Sequence, residues 1–154
     1  MTLYSKRSYP HHFKYLFSAH HIIFLTLCTH QRKSVLANET IHQSLVSLWR
    51  DSNEWRVGRY CIMPDHIHLF VKKRGATSES LQSWVYRWKA NFSRIQKDLP
   101  KPIWQKDFWD TKIGSQDAYA AKWNYVRNNP VRHGYVMHTD QWFYQGEIYP
   151  LSQC

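Results

Sequence analysis

The sequence predicts an α+β domain in which a ferredoxin-like split βαβ antiparallel sheet carries helices on one face and a C-terminal helix across the other. The first observation behind this prediction is the order of the hydrophobic patterns, which run βαββαβ and end in a further helix. The second is the length of 154 residues, which suits one domain with a sizeable core. We therefore treat residues 1–154 as a single domain, with a core at 20–138 and an extension at each end.

Apolar runs define the first half of the chain. Residues 21–29 form a strand that is apolar on both faces, as expected of a central strand. Asn38 is the predicted N-cap of the helix that follows. The apolar positions of that helix recur at helical spacing and are Ile41, Leu45, Leu48 and Trp49. Residues 55–63 form the second strand, and a turn at 63–65 leads into the third.

The second half repeats this alternation. Thr77 or Ser78 is the predicted N-cap of a second helix. Its apolar face consists of Leu81, Trp84, Val85, Trp88, Phe92 and Ile95. Residues 103–113 form the fourth strand. Ser115 then caps a last helix that extends to residue 128, and Pro130 stops it.

The third strand carries two histidines, His66 and His68, on either side of one apolar residue. Side chains alternate between the faces of a strand, so these imidazoles and Phe70 share one face. The opposite face is apolar and consists of Ile67, Leu69 and Val71. Two imidazoles side by side on an open face form half of a metal site. The alternative is a pair of hydrogen-bonded histidines on a sheet surface.

The last helix carries a tyrosine beside its apolar stripe. The stripe falls at i, i+4 and i+7 and consists of Tyr119, Trp123 and Val126. Tyr125 is one residue off the stripe, where its neighbours include Lys122 and Asn129. The pattern therefore predicts that Tyr119 packs in the core and that the hydroxyl of Tyr125 is placed to react. The alternative is that Tyr125 is also an ordinary core or surface aromatic.

Together these stretches resemble the HUH-type single-tyrosine transposases, and most closely their REP-associated tyrosine transposase branch. The matching segments are 63–68 with its two histidines, Trp104 and Gln105 with 108–113, Tyr125 with Asn129 and Pro130, Gly134, and the first strand at 24–29 with 31–33. The resemblance covers residues 20–138. Residues 142–145 depart from the family pattern, so nothing is carried over to the C-terminal segment.

The resemblance implies a set of roles. His66, His68 and Asn129 bind a divalent metal, Mg²⁺ or Mn²⁺, and Tyr125 attacks a DNA phosphate. It also implies single-stranded DNA that folds into hairpins as the substrate. Relatives from insertion sequences exchange the tyrosine helix between subunits, whereas REP-associated ones resemble monomers. We therefore favour a monomer and keep a dimer open.

Composition agrees with a nucleic-acid partner. Lysine and arginine exceed aspartate and glutamate by 21 − 11 = 10, and aromatic residues make up 16% of the chain. A basic excess favours a polyanion, and exposed rings can stack on unpaired bases. The candidate phosphate contacts are Arg87, Lys89, Arg94, Lys97, Lys112, Lys122, Arg127 and Arg132.

Other classes are disfavoured or kept as alternatives. The chain shows no apolar run long enough for a membrane span and no signal peptide, so we expect a cytoplasmic protein without a membrane partner. Cys28, Cys61 and Cys154 have neither disulfide-framework nor zinc-site spacing. Two alternative functions stay open: a non-catalytic module that binds hairpin DNA or RNA, and a metal-dependent hydrolase that uses water.

Overall fold

The structure is a computed structural model that describes residues 21–76 and 78–152. Its strands form one antiparallel sheet in the order β4-β1-β3-β2-β5. The strands are β1 Ile22–Cys28, β2 Trp55–Ile62, β3 His66–Lys73, β4 Trp109–Ile113 and β5 Gln145–Glu147. The helices are α1 Glu39–Arg50, α2 Leu81–Ile95, α3 Gln116–Arg127 and the short α4 Asn129–Arg132. The first four strands have the ferredoxin-like order, which confirms the predicted fold class.

One face of the sheet is covered by α1 and α2. Alternate residues of the two central strands point toward these helices, and they are Ile23, Leu25, Leu27, Ile67, Leu69 and Val71. Three indole rings fill the layer between, those of Trp49, Trp84 and Trp88, each at most 3% exposed. Trp88 meets Trp49 edge-on, with ring centroids 5.6 Å apart. This layer is the larger of two cores and holds β3 rigidly in place.

The other face of the sheet is covered by α3. Tyr119 and Val126 of this helix pack with Ile22, Phe24 and Phe70 in the second core. The predicted C-terminal helix across the sheet is therefore confirmed. The expectation of an open histidine face is wrong, because α3 and its neighbours leave His66 8% exposed and His68 fully buried.

Two boundaries differ from the predictions. The N-cap of α2 is Ser80, whose Oγ accepts a hydrogen bond from the Ser83 amide at 3.1 Å, so Ser78 is not the cap. Thr77 lies outside the described residues. The fourth strand is confined to Trp109–Ile113 because residues 103–108 enter the first core without forming a continuous strand.

The end of the tyrosine helix is also more detailed than predicted. Ser115 caps it as expected, accepting a hydrogen bond from the Ala118 amide at 3.1 Å. The helix ends at Arg127, but Pro130 does not end helical geometry, because it lies in the first turn of α4. Proline fits there since the first-turn amides of a helix have no internal acceptor.

Cys28 and Cys61 are buried with free thiols, and Cys154 lies outside the described residues. Within 21–76 and 78–152, no helix has the length and apolar character needed to cross a bilayer.

Candidate active site

His68 is held on the central strand β3 by contacts on two sides. Its Nδ1 is hydrogen-bonded to Thr26 Oγ1 of the neighbouring strand β1 at 3.1 Å. Its ring stacks on Phe24, with centroids 5.3 Å apart. Burial lowers the pKa of His68 well below its usual value, and the positive charges of His66, Lys122 and Arg132 act in the same direction. The imidazole is therefore neutral at neutral pH, the form that ligates metals, and Nε2 is the nitrogen suited to coordination.

His66 is oriented by a carboxylate. Its Nδ1 lies 2.7 Å from Asp65 Oδ1, while Asp65 Oδ2 accepts a hydrogen bond from Arg32 Nε at 2.9 Å. Burial alone raises the pKa of Asp65, but the hydrogen bonds and charges of His66 and Arg32 outweigh it and hold that pKa well below its usual range. A carboxylate on one ring nitrogen leaves the opposite nitrogen as the coordinating atom. Sequence reasoning missed this role, since Asp65 was interpreted as a turn residue.

Arg32 reaches the site from an unusual backbone. Gln31 and Arg32 follow β1 in the left-handed region, with φ values of 55° and 53°. Non-glycine residues pay a conformational cost there, and such residues cluster at functional sites. The strained turn directs the Arg32 side chain toward Asp65 and places its Nη2 3.4 Å from His66 Nδ1. No sequence pattern predicts this turn.

Tyr125 and Tyr119 have opposite environments. The side chain of Tyr125 is 45% exposed, with the guanidinium carbon of Arg132 4.0 Å from its ring centroid and Lys122 Nζ at 5.5 Å. Tyr119 is 3% exposed, packs on Phe70 at 4.9 Å, and accepts a hydrogen bond from a backbone amide of β2 at 3.3 Å. The helix phase derived from the sequence thus agrees with the structure: Tyr119 packs, and Tyr125 has an accessible hydroxyl.

Asn129 begins α4, one turn after Tyr125, and is 7% exposed. Its Oδ1 accepts a hydrogen bond from Arg132 Nη2. Arg132 thus links Asn129 to the Tyr125 ring, and its charge also acts on His68. Lys122 makes a second link, because its Nζ lies 4.8 Å above the Phe24 ring on which His68 stacks. The four residues expected to form the site are therefore connected across the interface between β3 and α3–α4.

The candidate metal donors are the two imidazoles on β3 and the side-chain amide oxygen of Asn129 at the start of α4. The rings of His66 and His68 are 4.8 Å apart and nearly perpendicular, close enough for both to reach one ion. No group of three histidine, cysteine, aspartate or glutamate side chains suited to a metal occurs in the part of the chain that the structure describes. A mixed nitrogen and oxygen set fits Mn²⁺ or Mg²⁺, and Asn129 is its candidate oxygen ligand.

The eight basic residues expected to contact phosphate lie on different sides of the sheet. Lys122 and Arg132 lie at the site, and Lys112 is exposed on the edge strand β4. Arg127 donates to Thr139 Oγ1 at 3.0 Å and so ties α3 to the C-terminal segment. Lys122, Arg127 and Arg132 are therefore on the side of the sheet that bears the histidines. Lys112 lies opposite Ile23 in the register of β1 and β4 and so belongs to the face that α1 and α2 cover.

Four other basic residues belong to α2 or follow it, beyond the opposite face of the sheet. They are Arg87, Lys89, Arg94 and Lys97. Arg87 is exposed and paired with Glu79 at 2.7 Å. Lys89 is only 6% exposed, its Nζ donates to the Gln105 carbonyl at 2.9 Å, and burial lowers its pKa to about 8. The expectation of a phosphate contact is therefore wrong for Lys89, which braces the loop before β4.

The chain is similar to known proteins over most of its length. Residues 15–129 match the family described as "Transposase IS200 like". A "Putative REP-associated tyrosine transposase" of Haemophilus influenzae is 30% identical over 112 residues, covering 58% of this chain and 61% of that protein. The "REP-associated tyrosine transposase" of Escherichia coli K12 is 24% identical over 127 residues, covering 77% and 72%. The chain thus spans under two thirds of the length of the first of these relatives.

A solved structure has the same fold. It is described as a REP-associated tyrosine transposase bound to a REP hairpin, and it superposes with a TM-score of 0.71 at 22% identity, covering 94% of this chain and 82% of its own. The family match extends over 115 of 154 residues (129 − 15 + 1 = 115) and includes His66, His68, Tyr125 and Asn129. The chain therefore belongs to the family of IS200-like transposases.

Proposed function

We propose that this chain cleaves and rejoins single-stranded, hairpin-forming DNA through a covalent 5′-phosphotyrosine at Tyr125, with a divalent metal as cofactor. The observation that carries the proposal is a set of contacts between the tyrosine helix and the histidine face. Lys122 lies against both the Tyr125 ring and the Phe24 ring on which His68 stacks. Arg132 lies against the same tyrosine and donates to Asn129. The names of the two relatives, and of the solved structure with its REP hairpin, support the same substrate class.

The chemistry follows from an accessible phenol next to cations. The Tyr125 oxygen forms a bond to the scissile phosphorus while the bond from phosphorus to the 3′-oxygen breaks. The phenolic proton leaves to solvent and the departing 3′-oxygen takes up a proton, so no net proton is consumed. Because the phosphodiester is conserved on tyrosine, a 3′-hydroxyl can later reverse the step without an energy source.

Each neighbouring side chain has a defined task in this step. Arg132 and Lys122, both against the Tyr125 ring, stabilise the phenolate and the phosphate charge. A divalent ion, Mg²⁺ or Mn²⁺, would be held by His66, His68 and Asn129 and would neutralise the scissile phosphate. Thr26 fixes the orientation of the His68 imidazole and Asp65 fixes that of His66, each through a hydrogen bond with the Nδ1 atom of the ring.

Asp65 gives a specific test of this arrangement. We expect Asp65→Asn to weaken Mn²⁺ binding by about ten- to a hundredfold, because the carboxylate that orients the His66 imidazole is lost. The measurement is an electron paramagnetic resonance titration of free Mn²⁺. Asp107→Asn, at an exposed loop carboxylate, is the matched control. Equal Mn²⁺ affinity for Asp65→Asn and the native chain would contradict the role assigned to Asp65.

The basic charge predicts how DNA binding responds to salt. We expect affinity for a hairpin with unpaired flanks to fall steeply between 50 and 200 mM salt, by roughly 10³-fold for six phosphate contacts, because bound cations are released. We also expect a preference for that hairpin over a random duplex, measured by fluorescence anisotropy at one fixed salt concentration. Equal affinity for both DNAs would indicate a non-specific basic protein.

One experiment separates the proposal from the two alternatives. The chain is incubated with hairpin oligonucleotides, with Mg²⁺, Mn²⁺ or a chelator, and run on a denaturing gel. A transposase of this type gives a metal-dependent protein–DNA adduct, a hydrolase gives cleaved DNA without an adduct, and a binding module gives neither. We also propose that the chain acts as a monomer, since one chain supplies all four site residues.

A further inference from the structure

The rings of His133 and Tyr135, which follow α4, pack with the ring of Trp142 from the C-terminal segment. We call these three residues the ring stack. The Tyr135 centroid lies 5.5 Å from Trp142 at an interplanar angle of 33°, and 6.3 Å from His133 at 26°. Trp142 is 9% exposed and its Nε1 donates to the Ile62 carbonyl at 3.0 Å, which fixes the inner end to β2. Tyr135 in the middle is 52% exposed, and His133 at the outer end is exposed too, so the stack presents aromatic surface to solvent.

The backbone holds Tyr135 in a defined position. Gly134 has φ +78°, a conformation that favours glycine. The Gly134 amide donates to the Val131 carbonyl at 3.0 Å, and the Tyr135 amide donates to the Pro130 carbonyl at 2.9 Å. These two bonds form a Schellman motif at the end of α4. The Tyr135 backbone is thereby fixed relative to the helix that starts with Asn129.

The ring stack is close to the candidate active site. Arg132, directly before His133, contacts both Asn129 and the Tyr125 ring. The His133 amide donates a hydrogen bond to the Asn129 carbonyl at 2.9 Å, which places the start of the ring stack one helical turn from that residue.

We propose that the exposed part of the ring stack binds one unpaired base of the single-stranded DNA, next to the phosphate that faces Tyr125. This inference deepens the proposed function and depends on it for the identity of the ligand. Tyr135 is already held between Trp142 and His133, so the exposed end of the ring stack needs no rearrangement to accept a base. Stacking of this kind tolerates any base, and Arg132 beside it can hold the adjoining phosphate.

The test measures base stacking directly. Hairpin oligonucleotides carry 2-aminopurine at successive unpaired flanking positions, and binding is followed with a chelator present so that no cleavage occurs. The native chain and Tyr135→Phe should quench the probe at one or two positions. Tyr135→Leu should lose that quenching and bind about five- to 150-fold more weakly. Tyr86→Leu is the matched control, since Tyr86 is a 39% exposed tyrosine on α2, on the opposite side of the sheet.

A second measurement covers the case in which Tyr135→Leu loosens the packing of Trp142. The native chain is photocrosslinked to DNA with 5-iodouracil at the quenched position, and the crosslinked peptide is identified by mass spectrometry. A crosslink to His133 or Tyr135 supports the proposal, and a crosslink elsewhere overturns it, as does unchanged quenching in a folded Tyr135→Leu. Quenching in the presence of chelator, combined with no covalent adduct when Mg²⁺ or Mn²⁺ is supplied, would support the ring stack and overturn the catalytic proposal instead.

Discussion

Replacing Tyr125 by phenylalanine is expected to abolish the covalent protein–DNA adduct while leaving DNA binding and the free energy of unfolding nearly unchanged. The substitution removes only a hydroxyl from a side chain that is 45% exposed. The ring that lies against the Arg132 guanidinium is retained. Loss of a catalytic nucleophile costs on the order of 10⁶-fold in rate, which takes the adduct below detection.

Tyr119→Phe is the matched control in the same helix. Its hydroxyl is buried and accepts a hydrogen bond from the Arg59 amide, so its loss should cost about 0.5–1.5 kcal/mol of stability and leave adduct formation intact. The measurement is a denaturing gel with 3′-end-labelled hairpin DNA, because the proposed linkage retains the 5′ end of the downstream fragment. Peptide mapping then identifies the modified tyrosine. An adduct in Tyr125→Phe, or a label on Tyr119, would overturn the assignment.

The distinction between these two tyrosines could be made from the sequence because helical periodicity is a local property. Tyr119 and Val126 lie on the buried face of α3, and Tyr125 falls just outside it. The same holds for β3, where alternation placed His66 and His68 on one face. Patterns of period 3.6 and 2 depend on one element alone, so they need no knowledge of its neighbours.

The burial and the hydrogen-bond partners of a side chain depend on tertiary packing, which sequence patterns predict less well. Lys89 looks like an exposed helix lysine, yet the loop before β4 covers it and supplies the Gln105 carbonyl. The Arg32–Asp65 contact depends on a turn with left-handed backbone angles, which no hydrophobic periodicity predicts. The strand Gln145–Glu147 was not predicted, since three residues that include a glycine show no alternation.

The largest effect on metal binding is expected from the histidines. We expect His66→Gln and His68→Gln each to lower Mn²⁺ affinity by more than the roughly ten- to hundredfold that follows loss of a ligand's hydrogen-bond partner. Metal-dependent cleavage should then fall below detection in both variants. A chelator added to the native chain should have the same effect. The reason is that the two imidazoles are the only nitrogen donors in the proposed set, and Asn129 supplies a single oxygen.

Glutamine is the informative replacement because these side chains are not on an open surface. His68 is fully buried, stacked on Phe24 and hydrogen-bonded to Thr26, so alanine would leave a cavity and an unsatisfied hydroxyl. Glutamine keeps a polar group and most of the volume, so that loss of metal is not confused with loss of fold. His42→Gln is the control, since His42 is partly buried on α1 and bonded to the Tyr60 hydroxyl at 2.7 Å. Unchanged Mn²⁺ affinity and cleavage in folded His66→Gln and His68→Gln would contradict the assignment of the two imidazoles as required metal ligands.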